Sequence, residues 1–301
     1  MKSEFIQRPK ILPVPVIPDL PEVYQIEVAS VCNFGCIMCP RQFFPRKDKA
    51  ALINPDLVKK IVDEGDLEAS YFVELQMNGE PLLHPYLSNI IDIVKTANVK
   101  VGLSTNGSLI HEQMEALQKL DYITVSVDSF SNYEKIRKGG NFHRLIRNIE
   151  RLAIAVEGTS TVIDIQVLEL TGWEEELKII KEYFAPYNVS VRTYPNCYLP
   201  YFFKYKLPTS TELCINPWLS VSIACNGNVT ACCISPGDDI QLGNLKNQTL
   251  KEVWAGEEVR KLREEHITRN YRPVCAKCYM RGPCLFHMKL FFDAIRDRKN
   301  G

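Results

Sequence analysis

Short runs rich in β-branched residues alternate with helical patterns through most of this chain. The strand candidates are residues 23–30, 71–77, 99–104, 121–127, 161–168 and 188–193. The helix candidates between them lie near residues 55–64, 85–97, 109–120, 141–156 and 173–185. Strands that alternate with helices in this way are typical of a parallel sheet with right-handed crossovers. The pattern therefore predicts an α/β sheet or partial barrel, with ligands bound at the carboxyl ends of the strands.

Charge and cysteine content limit the classes of function. The 301 residues include 36 Lys or Arg and 36 Asp or Glu, so no charge excess favours nucleic acid or a membrane surface as a partner. No signal-peptide pattern opens the chain and no apolar run is long enough to span a bilayer, which predicts a cytoplasmic protein. In that compartment, the eleven cysteines are better explained as metal ligands than as disulfides.

Three of these cysteines follow the first strand candidate. Cys32, Cys36 and Cys39 have the spacing C-x3-C-x2-C. Three thiolates fill three corners of an iron–sulfur cube and leave the fourth iron open, as in a site that binds and activates another molecule. Structural zinc is the alternative, but zinc sites usually combine two cysteine pairs and this segment has an odd number.

Polar loops follow the next three strand candidates. In the loop Asn78-Gly79-Glu80-Pro81, the glycine permits close backbone approach and the glutamate supplies a carboxylate for an ammonium group. The other candidate ligand contacts are Ser104, Asn106, Ser126 and Arg137. Each of these residues also has an ordinary explanation as part of a turn or a helix cap. Their succession behind one cysteine motif favours a single ligand site.

A second cysteine pattern lies in the C-terminal third. Cys214 is followed at intervals by Cys232, Cys275 and Cys278. A hairpin formed by 220–224 and 228–231 around Gly227 would bring the first two cysteines together, and a long helix is predicted over 250–266. Four thiolates would close a metal site that stabilises a segment too small for a rich core of its own. The spacing alone leaves iron–sulfur and zinc both open.

With these motifs, the chain resembles the radical S-adenosylmethionine (SAM) enzymes over most of residues 23–195. The resemblance implies a partial (βα)6 barrel in which Cys32, Cys36 and Cys39 ligate a 4Fe-4S cluster whose open iron chelates SAM. The loop at 78–81 resembles the family's Gly-Gly-Glu-Pro motif, with Asn78 at the first glycine. The implied SAM contacts are Asn78, Gly79, Glu80, Ser104, Asn106, Ser126 and Arg137.

The C-terminal third resembles the SPASM and Twitch modules of the same enzymes. The match consists of Cys214, Gly227, Cys232, Cys275 and Cys278, and it implies one auxiliary 4Fe-4S cluster. The adjacent Cys233 is the alternative to Cys232 as a ligand. The domains expected are a proline-rich arm (1–22), a radical SAM partial barrel (23–195) and a SPASM/Twitch module (196–301).

The resemblance also implies a type of reaction. SAM is cleaved reductively to a 5′-deoxyadenosyl radical that abstracts hydrogen from a substrate carbon, with electrons from a donor such as flavodoxin or ferredoxin. The short arm leaves no room for a leader-peptide domain, which favours dehydrogenation or epimerisation of a small polyol, sugar or aminocyclitol. For epimerisation, the candidate hydrogen donors are Cys197 and Cys284. Peptide modification, giving thioether, dehydrogenated or epimerised residues, is the alternative. A zinc-stabilised binding protein without turnover is the alternative from another class.

Overall fold

The computed structural model describes residues 19–42, 51–194, 213–232, 240–276 and 278. The six predicted strands are present, with somewhat different bounds, as β1 (Val23–Ile26), β2 (Phe72–Glu74), β3 (Val101–Thr105), β4 (Tyr122–Ser126), β5 (Val162–Leu168) and β6 (Ser190–Tyr194). Three more follow as β7 (Ser220–Ile223), β8 (Asn228–Thr230) and β9 (Gly243–Asn244). The described strands form one nine-stranded sheet in the order β6-β5-β4-β3-β2-β1-β7-β8-β9. Strands β1 to β7 pair in parallel, which confirms the α/β partial barrel, whereas β8 pairs in antiparallel fashion with both β7 and β9.

Most of the helices lie between the strands, as the alternation predicts, and the last three follow β9. They are α1 (Pro55–Glu64), α2 (Leu87–Lys95), α3 (Met114–Gln118), α4 (Tyr133–Ile136), α5 (Phe142–Ala155), α6 (Trp173–Phe184), α7 (Asn216–Leu219), α8 (Leu250–Trp254), α9 (Glu257–Ile267) and α10 (Pro273–Ala276). Local chemistry sets the start of α1: the Asn54 side chain accepts from the backbone N–H of Asp56, and Pro55 occupies the first helical position.

Two helix predictions need correction. The helix predicted over 109–120 forms only at α3, because residues 109–113 make turns and the Gln113 side chain donates to the carbonyls of Leu82 and His84 instead. The single helix predicted over 250–266 is two helices, because Gly256 takes an extended conformation (φ −70°, ψ 168°) that interrupts the helical backbone. The short helix α4 was not predicted at all.

The strands separate an apolar face from a polar face. The apolar face packs against the helices in one core that includes Tyr24, Ile26, Val73, Leu75, Val101, Leu103, Ile123 and Val125. Alternate residues point to the opposite side, the polar face, which carries Gln25, Glu74, Ser104, Thr124, Ser126, Asp164 and Gln166. Parallel strands covered on both faces are usually apolar throughout. The second face is therefore not an apolar core but a polar surface inside the partial barrel.

The C-terminal part packs directly against the barrel. The predicted hairpin is confirmed, because β7 and β8 pair around Gly227, whose φ of +86° favours glycine, and β7 adds to β1. The Lys60 ammonium on α1 donates to the carbonyl oxygens of Leu245 (2.6 Å) and Gln248 (3.0 Å). The sheet and this contact hold the hairpin beside the first strand.

The N-terminal arm predicted at 1–22 lies almost wholly outside the described residues. Within the part of the chain that is described, no helix combines the length and apolarity needed to cross a bilayer.

Candidate active site

The first cysteine motif forms a loop beyond the carboxyl end of β1. Backbone hydrogen bonds attach this loop to the segment after β4: the Gly35 N–H donates to the Lys138 carbonyl (2.7 Å) and the Ile37 N–H donates to that of Ile136 (2.9 Å). Cys32, Cys36 and Cys39 are all free thiols, and each is buried or half-buried. These two hydrogen bonds hold the cysteine loop against the chain that follows β4.

Nitrogen donors lie beside two of the three thiols. The Arg137 guanidinium lies 3.9 Å from Cys36 Sγ, and the Asn106 amide nitrogen lies 3.9 Å from Cys32 Sγ. Burial raises the pKa of Cys36 to about 11, against the opposing charge of Arg137. Burial likewise raises the pKa of Cys32 and of Cys39. Thiolates that burial disfavours become stable when a metal centre binds them, so the donor set fits an iron–sulfur cluster.

Arg41 supports the same conclusion and was missed in the sequence analysis. Its guanidinium lowers the pKa of Cys32 and Cys39, in opposition to the larger effect of burial. Its Nη1 atom is buried and has no hydrogen-bond partner. Buried donors are almost always paired in folded proteins, so an orphaned cationic donor beside these thiols suits an anionic cluster or ligand. The only signal in the sequence is a cation two residues after the third cysteine.

The loop at 78–81 lies directly on the cysteine loop. A Cβ atom at Gly79 would lie 1.9 Å from the carbonyl oxygen of Ala29, so only glycine permits this approach. The Glu80 N–H donates to the Val31 carbonyl (2.7 Å). The expected close backbone approach is therefore present, and it joins the ends of β1 and β2.

The Glu80 carboxylate connects the second strand end to the third. It accepts hydrogen bonds from Thr105 Oγ1 (2.6 Å), the Asn106 N–H (2.7 Å) and the Leu82 N–H (3.1 Å). Burial raises the pKa of Glu80, and these donors oppose that effect. The carboxylate therefore organises the loop that carries Asn106, whatever it contributes to a ligand.

The remaining candidates lie on the polar face or at its edge. Ser126 Oγ donates to Gln166 Oε1 (3.3 Å). The Ser104 hydroxyl hydrogen-bonds to Glu74 and lowers the pKa of that carboxyl, against the larger effect of burial. Arg137 is buried, and its Nε donates to Asp128 Oδ2 at 2.7 Å. Arg137 thus has a carboxylate partner within the protein in addition to its contact with the cysteine loop.

The second set of cysteines also comes together. Burial raises the pKa of Cys214 well above its ordinary value, and the charges of Cys232, Cys278 and Cys275 add to that increase. Cys225 lies in the hairpin turn, where its N–H donates to the Glu27 carboxylate (3.2 Å) at the end of β1. A hydrogen bond thus links the turn beside this second set to the strand that leads into the first set.

Three cysteines considered in the sequence analysis, Cys197, Cys233 and Cys284, lie outside the described residues. Among the described residues, no three His, Cys, Asp or Glu side chains are grouped as the ligands of a single metal ion would be. An iron–sulfur cube places each thiolate on a separate iron, so its ligands do not converge on one point.

Comparison with known proteins identifies both parts of the chain. Residues 26–176 match the sequence model of the radical SAM superfamily, and residues 214–279 match that of the SPASM iron–sulfur cluster-binding domain. A probable GTP 3′,8-cyclase of Methanococcus maripaludis is 28% identical over 165 residues, which are 53% of this chain and 54% of that protein. The match thus spans about half the length of that curated relative.

Solved structures share the fold over a larger part of the chain. BtrN in complex with AdoMet and 2-DOIA gives a TM-score of 0.59 at 18% identity, over 86% of this chain and 93% of that chain. SuiB of Streptococcus suis bound to its precursor peptide SuiA gives a TM-score of 0.61 at 15% identity, over 89% of this chain and 72% of that chain. The matched family models imply 4Fe-4S clusters and SAM as cofactors. The chain belongs to the radical SAM superfamily and carries a C-terminal SPASM domain.

Proposed function

We propose that this protein cleaves SAM reductively at a 4Fe-4S cluster ligated by Cys32, Cys36 and Cys39. The observation that carries the proposal is the position of this thiol loop against two cations, Arg41 and Arg137, one of which has an orphaned buried donor. Such a cluster supplies a low-potential electron to the sulfonium bond, and the protein positions SAM and excludes water.

The chain's own residues would hold SAM as follows. The backbone of Asn78 and Gly79, together with the Glu80 carboxylate, faces the methionyl amine. Ser104 and Asn106 contact the ribose, and Ser126 and Arg137 hold the carboxylate. The hydrogen bonds that Glu80 accepts from Thr105 Oγ1 and the Asn106 N–H support this assignment, because they fix Glu80 and Asn106 relative to each other. The ion pair of Arg137 with Asp128 limits how its guanidinium can meet a ligand, so its terminal nitrogens are assigned to the SAM carboxylate.

The second proposed centre is an auxiliary 4Fe-4S cluster on Cys214, Cys232, Cys275 and Cys278. The mutual electrostatic effect of these four thiols supports it, and the SPASM match includes all four positions. A cluster held by these four thiols would supply an acceptor for the electron that leaves the substrate radical, and loss of that electron and of a proton would make the overall reaction a dehydrogenation. Epimerisation would need a hydrogen donor instead, for which Cys197 and Cys284 stay the predictions.

For the substrate, we favour a small polyol, sugar or aminocyclitol. The polar face supports this choice, and so does the likeness to BtrN, which binds 2-DOIA and of which this chain covers 93%. A peptide substrate is the second candidate, supported by the likeness to SuiB bound to SuiA. The electron donor proposed for either substrate is a flavodoxin or ferredoxin. The proposed domains are the arm (1–22), the radical SAM partial barrel (23–195) and the SPASM/Twitch module (196–301).

The test is 5′-deoxyadenosine release from SAM with dithionite, measured on anaerobically reconstituted protein. Wild type should hold about eight irons for two 4Fe-4S clusters and release product. The Cys32→Ala variant should lose product while keeping the iron of the auxiliary site. Cys225→Ala, which changes a cysteine outside both proposed ligand sets, is the matched control. Full SAM cleavage by Cys32→Ala would refute the assignment of the first cluster.

A further inference from the structure

A chain of hydrogen bonds crosses the polar face through Glu74. Ser222 Oγ donates to Gln25 Oε1 (3.0 Å), and Gln25 Nε2 donates to Glu74 Oε2 (2.8 Å). On the other side, Gln76 Nε2 donates to Glu74 Oε1 (3.0 Å). The strand register supports this geometry, because Ser222 and Glu74 are both paired with Gln25 on neighbouring strands. The network therefore belongs to the sheet itself and not to a mobile loop.

The network fixes the orientation of two amides. Gln25 and Gln76 both turn their NH2 groups toward Glu74, and each carboxylate oxygen accepts one of these hydrogen bonds. The carbonyl oxygen of Gln25 is then used by Ser222. The side-chain oxygen of Gln76, Oε1, accepts no hydrogen bond within the described part of the chain, and Gln76 is partly exposed. Gln76 thus presents a preset acceptor to the barrel interior.

No cationic side chain lies beside the Glu74 carboxylate in the described structure. Asp128 is paired with Arg137 (2.7 Å) and Asp164 with Arg192 (2.9 Å) on the same side of the sheet. The groups that act on Glu74 are neutral: two glutamine amides and the Ser104 hydroxyl. Burial raises its pKa to about 7, which reflects the cost of an unbalanced charge there. A ligand ammonium near Glu74 on the polar face would reduce that cost.

We propose that Gln76 and Glu74 form a specificity site for the substrate, in which the Gln76 amide oxygen accepts a hydrogen bond from an ammonium or hydroxyl group and the Glu74 charge favours the ammonium. The substrate class is therefore an amine-bearing polyol. The proposal rests on the proposed function, since it places the substrate in the barrel beside the SAM contacts: Gln76 precedes Asn78 by two residues, and Ser104 contacts Glu74. Gln76 touches the substrate, whereas Glu74 is a positioning residue.

The experiment is calorimetric titration of reconstituted, SAM-loaded protein with two cyclitols. 2-Deoxystreptamine carries ammonium and hydroxyl groups, and quinate carries a carboxylate in place of ammonium. Wild type should bind 2-deoxystreptamine more tightly than quinate, and Gln76→Leu should weaken 2-deoxystreptamine binding by about tenfold, as expected for one lost hydrogen bond to a charged group. Gln118→Leu, at a glutamine whose amide donates to the Ala155 carbonyl on the helical side, is the matched control and should leave both affinities unchanged.

A second variant tests the orientation of the amide. Glu74→Gln removes the charge and lets the Gln76 amide turn over, so the preference for 2-deoxystreptamine over quinate should shrink or reverse. A side chain that only maintains the fold would change both affinities together and keep their ratio.

The proposal is refuted if wild type binds neither cyclitol, if quinate binds as tightly as 2-deoxystreptamine, or if Gln76→Leu binds like wild type. SAM cleavage by the same wild-type preparation is measured in parallel. A preparation that cleaves SAM but fails these binding tests refutes the specificity site alone, whereas absence of SAM cleavage counts against the proposed function.

Discussion

Removal of the Glu74 charge should stabilise the protein at neutral pH. Glu74 is only 3% exposed, and burial raises its pKa from 4.5 to about 7, despite hydrogen bonds from Gln25, Gln76 and Ser104. Below pH 4.5 the carboxyl is protonated in both the folded and the unfolded state. Between pH 4.5 and 7 the unfolded chain releases the proton that the folded chain keeps, so the free energy of unfolding falls as pH rises. Above pH 7 the cost stays constant.

The structure gives the size of this effect. A pKa difference of about 2.5, at about 1.36 kcal/mol for each pKa unit, corresponds to about 3 kcal/mol. With about 2.1 cal/mol/K of unfolding entropy per residue over 301 residues, this amounts to about 5 °C in Tm. The Tm of the Glu74→Gln variant relative to that of wild type should therefore rise by about 5 °C as the pH is raised from 4.5 to 8. Any constant difference from altered hydrogen bonds adds equally at every pH.

The assay is thermal unfolding of both proteins at matched iron content across this pH range. Glu176→Gln is a control of opposite sign, since hydrogen bonds from the amides of Phe130 and Ser131 outweigh partial burial and lower the pKa of Glu176. The stability that Glu176 contributes is present at neutral pH and is lost as pH falls. A Tm difference between Glu74→Gln and wild type that does not change with pH would refute the reasoning.

Three further predictions concern other parts of the structure. Cys278→Ala should lose about four irons and destabilise the SPASM domain, because a closed cluster links its segments; Cys225→Ala should keep the iron, and equal iron content in the two variants would contradict the ligand assignment. Lys60→Met should cost about 1 to 3 kcal/mol in urea unfolding, because two carbonyl oxygens lose a charged donor; an unchanged free energy of unfolding would mean that this contact contributes nothing. Gly79→Ala should lower the free energy of unfolding by about 3 kcal/mol or more, because the new Cβ would lie 1.9 Å from a carbonyl oxygen. Gly158→Ala is the control: φ is +75° there but the new Cβ would meet nothing within 4 Å, so the loss should be only about 1 kcal/mol.

The order of secondary structure was predictable because each unit has a local signal. Strands β1 to β6 have short runs of β-branched residues, and α1 has an Asn54 cap followed by Pro55. The break at Gly256 was missed because glycine inside a helical pattern is tolerated, so the sequence does not say whether the chain continues or turns there. Helix α4 has only four residues and no periodicity to detect.

The functional residues also divide into those that a local sequence pattern reveals and those that it does not. Cys32, Cys36 and Cys39 are visible because their spacing is itself the chemical signal. Glu74 and Gln76 were not recognised, although polar residues at alternate positions of a parallel strand indicate a polar barrel interior.

The sequence by itself determined the α/β class and the two cysteine sets, since these depend on residue types and spacings, and its resemblance to the radical SAM enzymes implied the cofactors. Only the tertiary structure decided which side chains meet. Glu74 contacts Gln25, 49 positions away, and Gln25 in turn contacts Ser222, 197 positions away. Likewise the Glu80 carboxylate, which the sequence offers for an ammonium group, accepts hydrogen bonds from Thr105 Oγ1 and the Asn106 N–H at the end of β3. Strand order and register set these contacts, and they arise from the packing of the whole sheet rather than from any local pattern.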